Sequence, residues 1–190
     1  MSSQDKTAKA LAGWLRGPRV PLPVRREPSP LVLFLCRTNT AVSIMAEALL
    51  RQLAQDRVRA ASAGQHPSTQ VDPYALECLR GRGICTTGLR SKGWEVFLGA
   101  YRAPVHCLIT LGNLEGASAQ WDREPHPPAK GHWGMVDPST VVSNEVDVRL
   151  AFEEAFLTLD TRIRRFLALP RGSLTSHCLT VELQRIGSGL

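Results

Sequence analysis

Residues 31–53 read LVLFLCRTNTAVSIMAEALLRQL, and three patterns follow one another within them. Leu31–Cys36 is an unbroken apolar run, which a strand buried on both faces requires. Residues 37–43 form a largely polar loop, and from Ile44 the apolar positions 44, 45, 49, 50 and 53 recur at helical spacing. Strand, polar loop and helix in that order form the opening unit of a parallel α/β fold. In such folds ligands bind beyond the carboxyl ends of the strands. Cys36 stands at that end, and the loop after it is where chemistry is expected.

Downstream the alternation repeats. VRAASAG (58–64) reads as a second strand, and residues 72–83 as a helix opened by Asp72 and Pro73 and closed at glycine. SKGWEVFLGAY (91–101) reads as a short helix capped by Ser91. VHCLITLG (105–112) is a further buried strand, residues 113–144 are loop-rich, and 145–170 carries helical periodicity at 148, 152, 156, 159, 163, 166 and 167. The terminal LTSHCLTVELQRIG adds a last helical stretch. The expected fold class is α/β: a small parallel sheet of about four strands flanked by helices, with right-handed crossovers.

Upstream the pattern changes. Residues 3–16 allow a short amphipathic helix presenting Leu11, Trp14 and Leu15, and residues 17–30, GPRVPLPVRREPSP, hold five prolines. A segment of that composition favours extended polyproline conformations and builds no core. The expected organisation is an N-terminal extension over 1–29 and one domain over 30–190. The extension reads as a solvated tail or as an arm for a protein partner. Of the chain's +6 formal charge, residues 1–30 supply most, with six Lys/Arg against Asp5 and Glu27. A nucleic-acid role would rest on this arm alone, because the rest of the chain has no recognition pattern.

At 190 residues a single fold buries on the order of 70% of its unfolded surface, so it needs no disulfide or metal to hold it. Five cysteines at 36, 78, 85, 107 and 178 lack a framework spacing, the pattern of reduced thiols, and a cytoplasmic setting is expected. The histidines at 66, 106, 126, 132 and 177 are isolated, so no metal site is expected. No apolar run approaches the roughly 20 residues of a membrane span, and no membrane association is expected.

Backbone N–H groups of a loop entering a helix converge on one point, and the helix dipole adds positive potential there. That field suits an oxyanion and lowers a cysteine pKa, so Cys36 is a candidate nucleophile; the plain alternative is a buried apolar residue at a strand end. Ser43 is placed to donate to the sulfur, and Asn39 tolerates a left-handed turn.

The run LFLCRTNTAVSIMAEALL resembles the phosphate-binding loop of low-molecular-weight protein tyrosine phosphatases and of the arsenate reductases built on the same fold. Their pattern is Cys-x-x-Asn-x-x-Arg-Ser followed by Met-Ala-Glu-Ala. Cys36, Asn39 and Ser43 match it. AASAG, GICTTGLRSKGWEVF, GHWGMVDPS and RRFLALPRGSL agree in order, most like the bacterial arsenate reductase branch, so that the resemblance spans about 31–187. It implies catalytic roles for Cys36, Ser43 and Asp137 and an oxyanion cradle of Arg37, Thr38, Asn39, Thr40, Ala41 and Val42. It further implies an arsenate- or phosphate-type oxyanion as ligand, a link to arsenic resistance, no resident cofactor, and an external thiol such as glutathione or thioredoxin if the reaction is a reduction.

Two departures weaken that implication. Val42 stands where the family has the arginine that grips two oxygens of the transferred group, and valine donates nothing. Arg37, the nearest basic residue, reads as a solvated loop residue rather than a replacement. Where the reductase branch carries resolving cysteines, this chain has LITLGNLEGASAQWDREP, with Gly112 near the first expected position. Cys107 reads as core, a redox role for Cys78 with Cys85 stays open, and Cys178 has no evident partner. Asp137, followed by Pro138, is either the general acid or a turn cap. His132 and Trp133 read as packing within their loop, and Tyr101 and Trp121 as candidates for the entrance. The resulting expectation is an attenuated thiol enzyme, or an inactive family member that binds an oxyanion or a protein.

Overall fold

A computed structural model describes residues 29–99, 102–112, 114, 116–170 and 175–189. The expectations for the arm and for Tyr101 lie outside those residues.

Four strands form one sheet in the order β2-β1-β3-β4: β1 Leu31–Cys36, β2 Arg59–Gly64, β3 Cys107–Thr110 and β4 Ala129–His132. Every pairing is parallel, with Leu35 aligned to Ala63 on one side and to Thr110 on the other. The all-apolar β1 is central because both of its edges and both of its faces are covered, and all six residues are buried.

Among the described residues, five α-helices follow in chain order: α1 Val42–Ala54, α2 Pro73–Gly81, α3 Ala117–Trp121, α4 Glu145–Leu167 and α5 Ser176–Ser188. Alternation along β1 divides the core in two. Val32 and Phe34 face Met45, Leu79, Trp133, Phe152, Leu159 and Leu183, drawn from α1, α2, α4, α5 and the end of β4. Leu33 and Leu35 face Trp94, Leu108 and Trp121. Each large side chain sealed this way contributes roughly 1.5–3 kcal/mol.

The helix starts follow local chemistry. Asp72 accepts from the Tyr74 amide with Pro73 at the first helical position, Asn144 accepts from the Val146 and Asp147 amides, and Thr175 accepts from the Cys178 amide. α1 differs: Ala41 precedes it, no side chain caps it, and its first turn holds no acidic residue.

Three expectations are corrected. Of the helix expected over 91–101, the described residues 91–99 form no α-helix; Trp94–Phe97 is one 3₁₀ turn capped at Gly93, and the Ser91 hydroxyl donates to the Thr38 carbonyl instead of capping. The strand expected over 105–112 is confined to Cys107–Thr110. Within the loop-rich 113–144 lie α3 and β4, whose sequence AKGH lacks the usual apolar signal. Gly131 replaces a large residue there because a β-carbon would stand 2.8 Å from that of Leu183 on α5.

Candidate functional site

The loop after β1 is held from outside by its carbonyls. Those of Cys36, Arg37, Thr38 and Thr40 accept from the amides of Gln65, His66, Ser68 and Asp72 at 2.8–3.1 Å. With the carbonyls engaged by this segment, amides of the loop face the sulfur: the Asn39 N–H donates to Cys36 Sγ at 3.1 Å, and a Thr38 backbone hydrogen bond also favours the thiolate. Gly64 makes this approach possible, since a β-carbon there would lie 3.0 Å from the backbone of Arg37, Thr38 and Asn39.

Asn39 is the turning point. It has φ 54°, the left-handed region that asparagine tolerates, and it is fully buried. Its Nδ2 donates to Ser43 Oγ at 2.9 Å and to Ser62 Oγ at 2.8 Å, while its Oδ1 accepts from the Lys92 amide at 2.9 Å. Ser43 Oγ, which accepts from Asn39, also lies 2.8 Å from Cys36 Sγ, a contact that favours the thiolate. Ser62 passes its hydrogen to Glu47 Oε2, and Glu47, with no exposed surface, is held by Arg51 and by Lys92 Nζ at 3.1 Å. A buried carboxylate is tolerated only with such partners.

The expected depression of the Cys36 pKa is corrected. Burial pushes the thiol above its ordinary value and outweighs the Ser43 and Asn39 hydrogen bonds, and the Asp137 charge adds to the rise. Cys36 is 4% exposed. Val42, the first residue of α1, is 2% exposed and joins the apolar core. Arg37 is exposed, Thr38 Oγ1 lies 2.9 Å from Thr40 Oγ1, and Ala41 is buried at the helix entry.

Asp137 therefore lies within electrostatic reach of Cys36. One of its oxygens, Oδ1, accepts from the Ser139 amide at 3.0 Å and from the Ser139 hydroxyl at 2.8 Å, which caps the turn Pro138–Thr140. Trp133 is fully buried and donates Nε1 to the Leu183 carbonyl; His132 is exposed, with Nδ1 2.9 Å from Thr110 Oγ1. Trp121 is buried against β1 and β3 and so belongs to the core.

All five cysteines are free: Cys36, Cys78 and Cys107 are buried, Cys85 and Cys178 exposed. Cys107 is core, its thiol pushed by burial up to about 12. Cys78 touches the Arg82 guanidinium at 3.2 Å. Among the described residues no cluster suits a metal ion, and no helix is long and apolar enough to cross a membrane.

Sequence reasoning missed Glu47, Ser62, Gly64 and Lys92 as the support of the loop. A charge at Glu47 inside the apolar run IMAEALL was the available signal.

Residues 31–110 match the model of the family described as low molecular weight phosphotyrosine protein phosphatase. Among solved structures, the thioredoxin-dependent arsenate reductase Cg_ArsC1' of Corynebacterium glutamicum is 29% identical, with a TM-score of 0.50; the match covers 74% of this chain and 61% of that one. The chain thus spans about three-fifths of that protein. Arsenate reductase from Archaeoglobus fulgidus is 22% identical over 70% of this chain and 98% of its own, with a TM-score of 0.53. The tyrosine phosphatase Wzb from Escherichia coli K30, solved with sulphate, is 18% identical over 73% of this chain and 96% of its own, with a TM-score of 0.54. These last two share the fold. No curated protein matches the chain.

Proposed function

We propose, from the premise that residues 31–110 carry a low-molecular-weight phosphotyrosine protein phosphatase domain, that the chain is an attenuated thiol enzyme of the arsenate-reductase or phosphatase kind. The observation that carries this reading is the contact of Cys36 Sγ with both Ser43 Oγ and the Asn39 amide at the uncapped start of α1. Hydrogen bonds at the sulfur favour its thiolate form and partly offset the burial that opposes it, and amides that face it receive an oxyanion.

In the phosphatase form, the Cys36 thiolate attacks phosphorus, an S–P bond forms and the ester P–O bond breaks. Asp137 delivers its proton to the departing oxygen, and water then hydrolyses the thiophosphate. In the reductase form, the thiolate displaces hydroxide from arsenate. An external thiol, such as that of glutathione or thioredoxin, then attacks the Cys36 sulfur, giving a disulfide and releasing trivalent arsenic. Ser43 stabilises the thiolate in both, and the amides of 37–43 take the oxyanion. No cofactor is required.

Attenuation follows from two features. Val42 supplies no guanidinium, and burial raises the Cys36 pKa, which disfavours the thiolate that the chemistry needs. These same features favour the second reading, an inactive relative that binds an oxyanion or a protein partner. Turnover separates the two. With Val42→Arg, aryl phosphate or arsenate turnover is expected to rise on the order of 10²-fold, the worth of one oxyanion donor. A variant that melts like the parent yet gains nothing would favour the binding role.

A further inference from the structure

Past the end of β4 the chain enters the Asp137 loop, and the first residues of that loop are fixed from three sides. The Trp133 ring packs on Phe34 of β1 with centroids 6.0 Å apart, and its Nε1 donates to the Leu183 carbonyl of α5 at 2.9 Å. The Trp133 amide donates to the Thr110 carbonyl of β3 at 2.8 Å. Gly187, in the last turn of α5, lies so close that a β-carbon on it would stand 1.9 Å from the His132 carbonyl oxygen. Phe34 and Cys36 share one face of β1, so the root of the loop is registered against the strand that carries the thiol.

Arg162 of α4 joins these pieces. Its Nη1 donates to the Trp133 carbonyl at 3.0 Å, its Nη2 donates to the Gly187 carbonyl at 2.9 Å, and both reach the Gly134 carbonyl at 3.4 and 3.5 Å. The first and last of these segments lie past a strand end and in a helix's final turn, where regular structure leaves carbonyls unpaired. Arg162 is half-buried, burial disfavours its charge, and among the described residues no carboxylate pairs with it. What it supplies is the rigid fork, which spans α4, the loop root and α5 at once. Farther along, a groove of about 350 Å³ lined by Met135, Val136, Pro138, Val141 and Ala155 lies between the loop and the middle of α4. Among the described residues, the hydrogen bonds of Arg162 are the ones that tie 134–141 to α4.

We propose that Arg162 is a positioning residue for Asp137: by pinning the Trp133 and Gly134 carbonyls, it holds the loop where the Asp137 carboxyl acts on Cys36. Its consequence for turnover rests on Asp137 serving as the acid, whereas the positioning itself is readable at the thiol. Around Cys36, burial pushes the thiol up and the hydrogen bonds of Ser43, Asn39 and Thr38 pull it down. Asp137 is the one charge among the described residues that acts on it, and it acts upward. Releasing the loop therefore lowers the pH at which Cys36 ionises. Loss of a positive charge alone would raise that pH, so the sign separates positioning from direct electrostatics.

Iodoacetamide labelling of Cys36 against pH in the full chain tests the proposal, comparing the parent with Asp137→Asn, Arg162→Met, Arg162→Lys and the double variant Asp137→Asn with Arg162→Met. Asp137→Asn and Arg162→Met are both expected to shift the midpoint downward and to label several-fold faster than the parent at neutral pH. Arg162→Lys keeps the charge but offers no fork to bridge two segments, so it is expected to shift the same way, and it carries the test if Arg162→Met fails to fold. The double variant is expected to match Asp137→Asn alone. A parent-like midpoint in Asp137→Asn or in the folded Arg162 variants would overturn the proposal, as would a further shift in the double variant. Labelling needs no turnover, so an inactive parent would count against the enzyme reading and not against the role of Arg162.

Discussion

Asn39 concentrates the local physics of the site in one side chain. It fixes a left-handed turn, donates to two serines and accepts from the Lys92 amide. Asn39→Ala must keep that φ without the local side-chain hydrogen bonds that ease it for asparagine, at roughly 1–2 kcal/mol, and it strips the Lys92 amide of its acceptor, at about 1–3 kcal/mol. Urea unfolding of this variant is expected to show a loss of about 3 kcal/mol, with Asn39→Gly recovering the strain part. An unchanged midpoint would mean that the loop is held without this residue. Cys36, Asn39 and Ser43 were legible in the sequence because they lie within eight residues of one another on one loop. Glu47, Ser62 and Lys92 were not, because the hydrogen-bond chain that joins them crosses from α1 to β2 and on to the segment before the 3₁₀ turn. The direction of the Cys36 pKa was misread for a related reason. Position at a helix entry predicts donors, whereas burial depends on what packs around it, here the apolar cluster that holds Cys36 with Val42 and Ala41.

β1, α1, α2 and α4 were legible because each has a strong period or a recognisable cap. β4 escaped because its residues Ala129, Lys130, Gly131 and His132 answer to neighbours: Gly131 yields to Leu183, while Trp133 just beyond the strand anchors α5. The 3₁₀ turn Trp94–Phe97 escaped because Ser91 is drawn to the Thr38 carbonyl rather than to a helix start. β3 carries a prediction of its own through Cys107, whose folded thiol is pushed up to about 12. Its unfolded counterpart ionises near 8.5. Above that pH the unfolded state sheds a proton that the folded state keeps, so stability is full below about 8.5 and falls as pH rises toward 12. The slope is about 1.4 kcal/mol per pH unit for this one group. Cys107→Val is expected to flatten the alkaline limb of a urea-midpoint against pH curve by that amount. A parallel curve for the two proteins would remove Cys107 from the account.

The whole molecule reads as an all-parallel sheet with unequal covers: α1, α2, α4 and α5 on one side, Trp94 and Trp121 with their short turns on the other. That architecture sets the loop 37–43 at the carboxyl edge of the sheet. The fold class was available from β1 and the repeated strand-to-helix alternation, since an apolar run of six residues has few other homes. The level of activity was not, because it depends on how the field of one loop balances burial against hydrogen bonds. The central claim is that Cys36 is a thiol whose ionisation burial opposes, in a loop that still receives oxyanions. Its most direct test is the rate of Cys36 alkylation by iodoacetamide against pH, read by peptide mass spectrometry, with and without millimolar phosphate or arsenate. The account predicts a midpoint above the ordinary cysteine value of about 8.5, with slower labelling when either anion is present. Labelling that neither anion slows at any pH would contradict it.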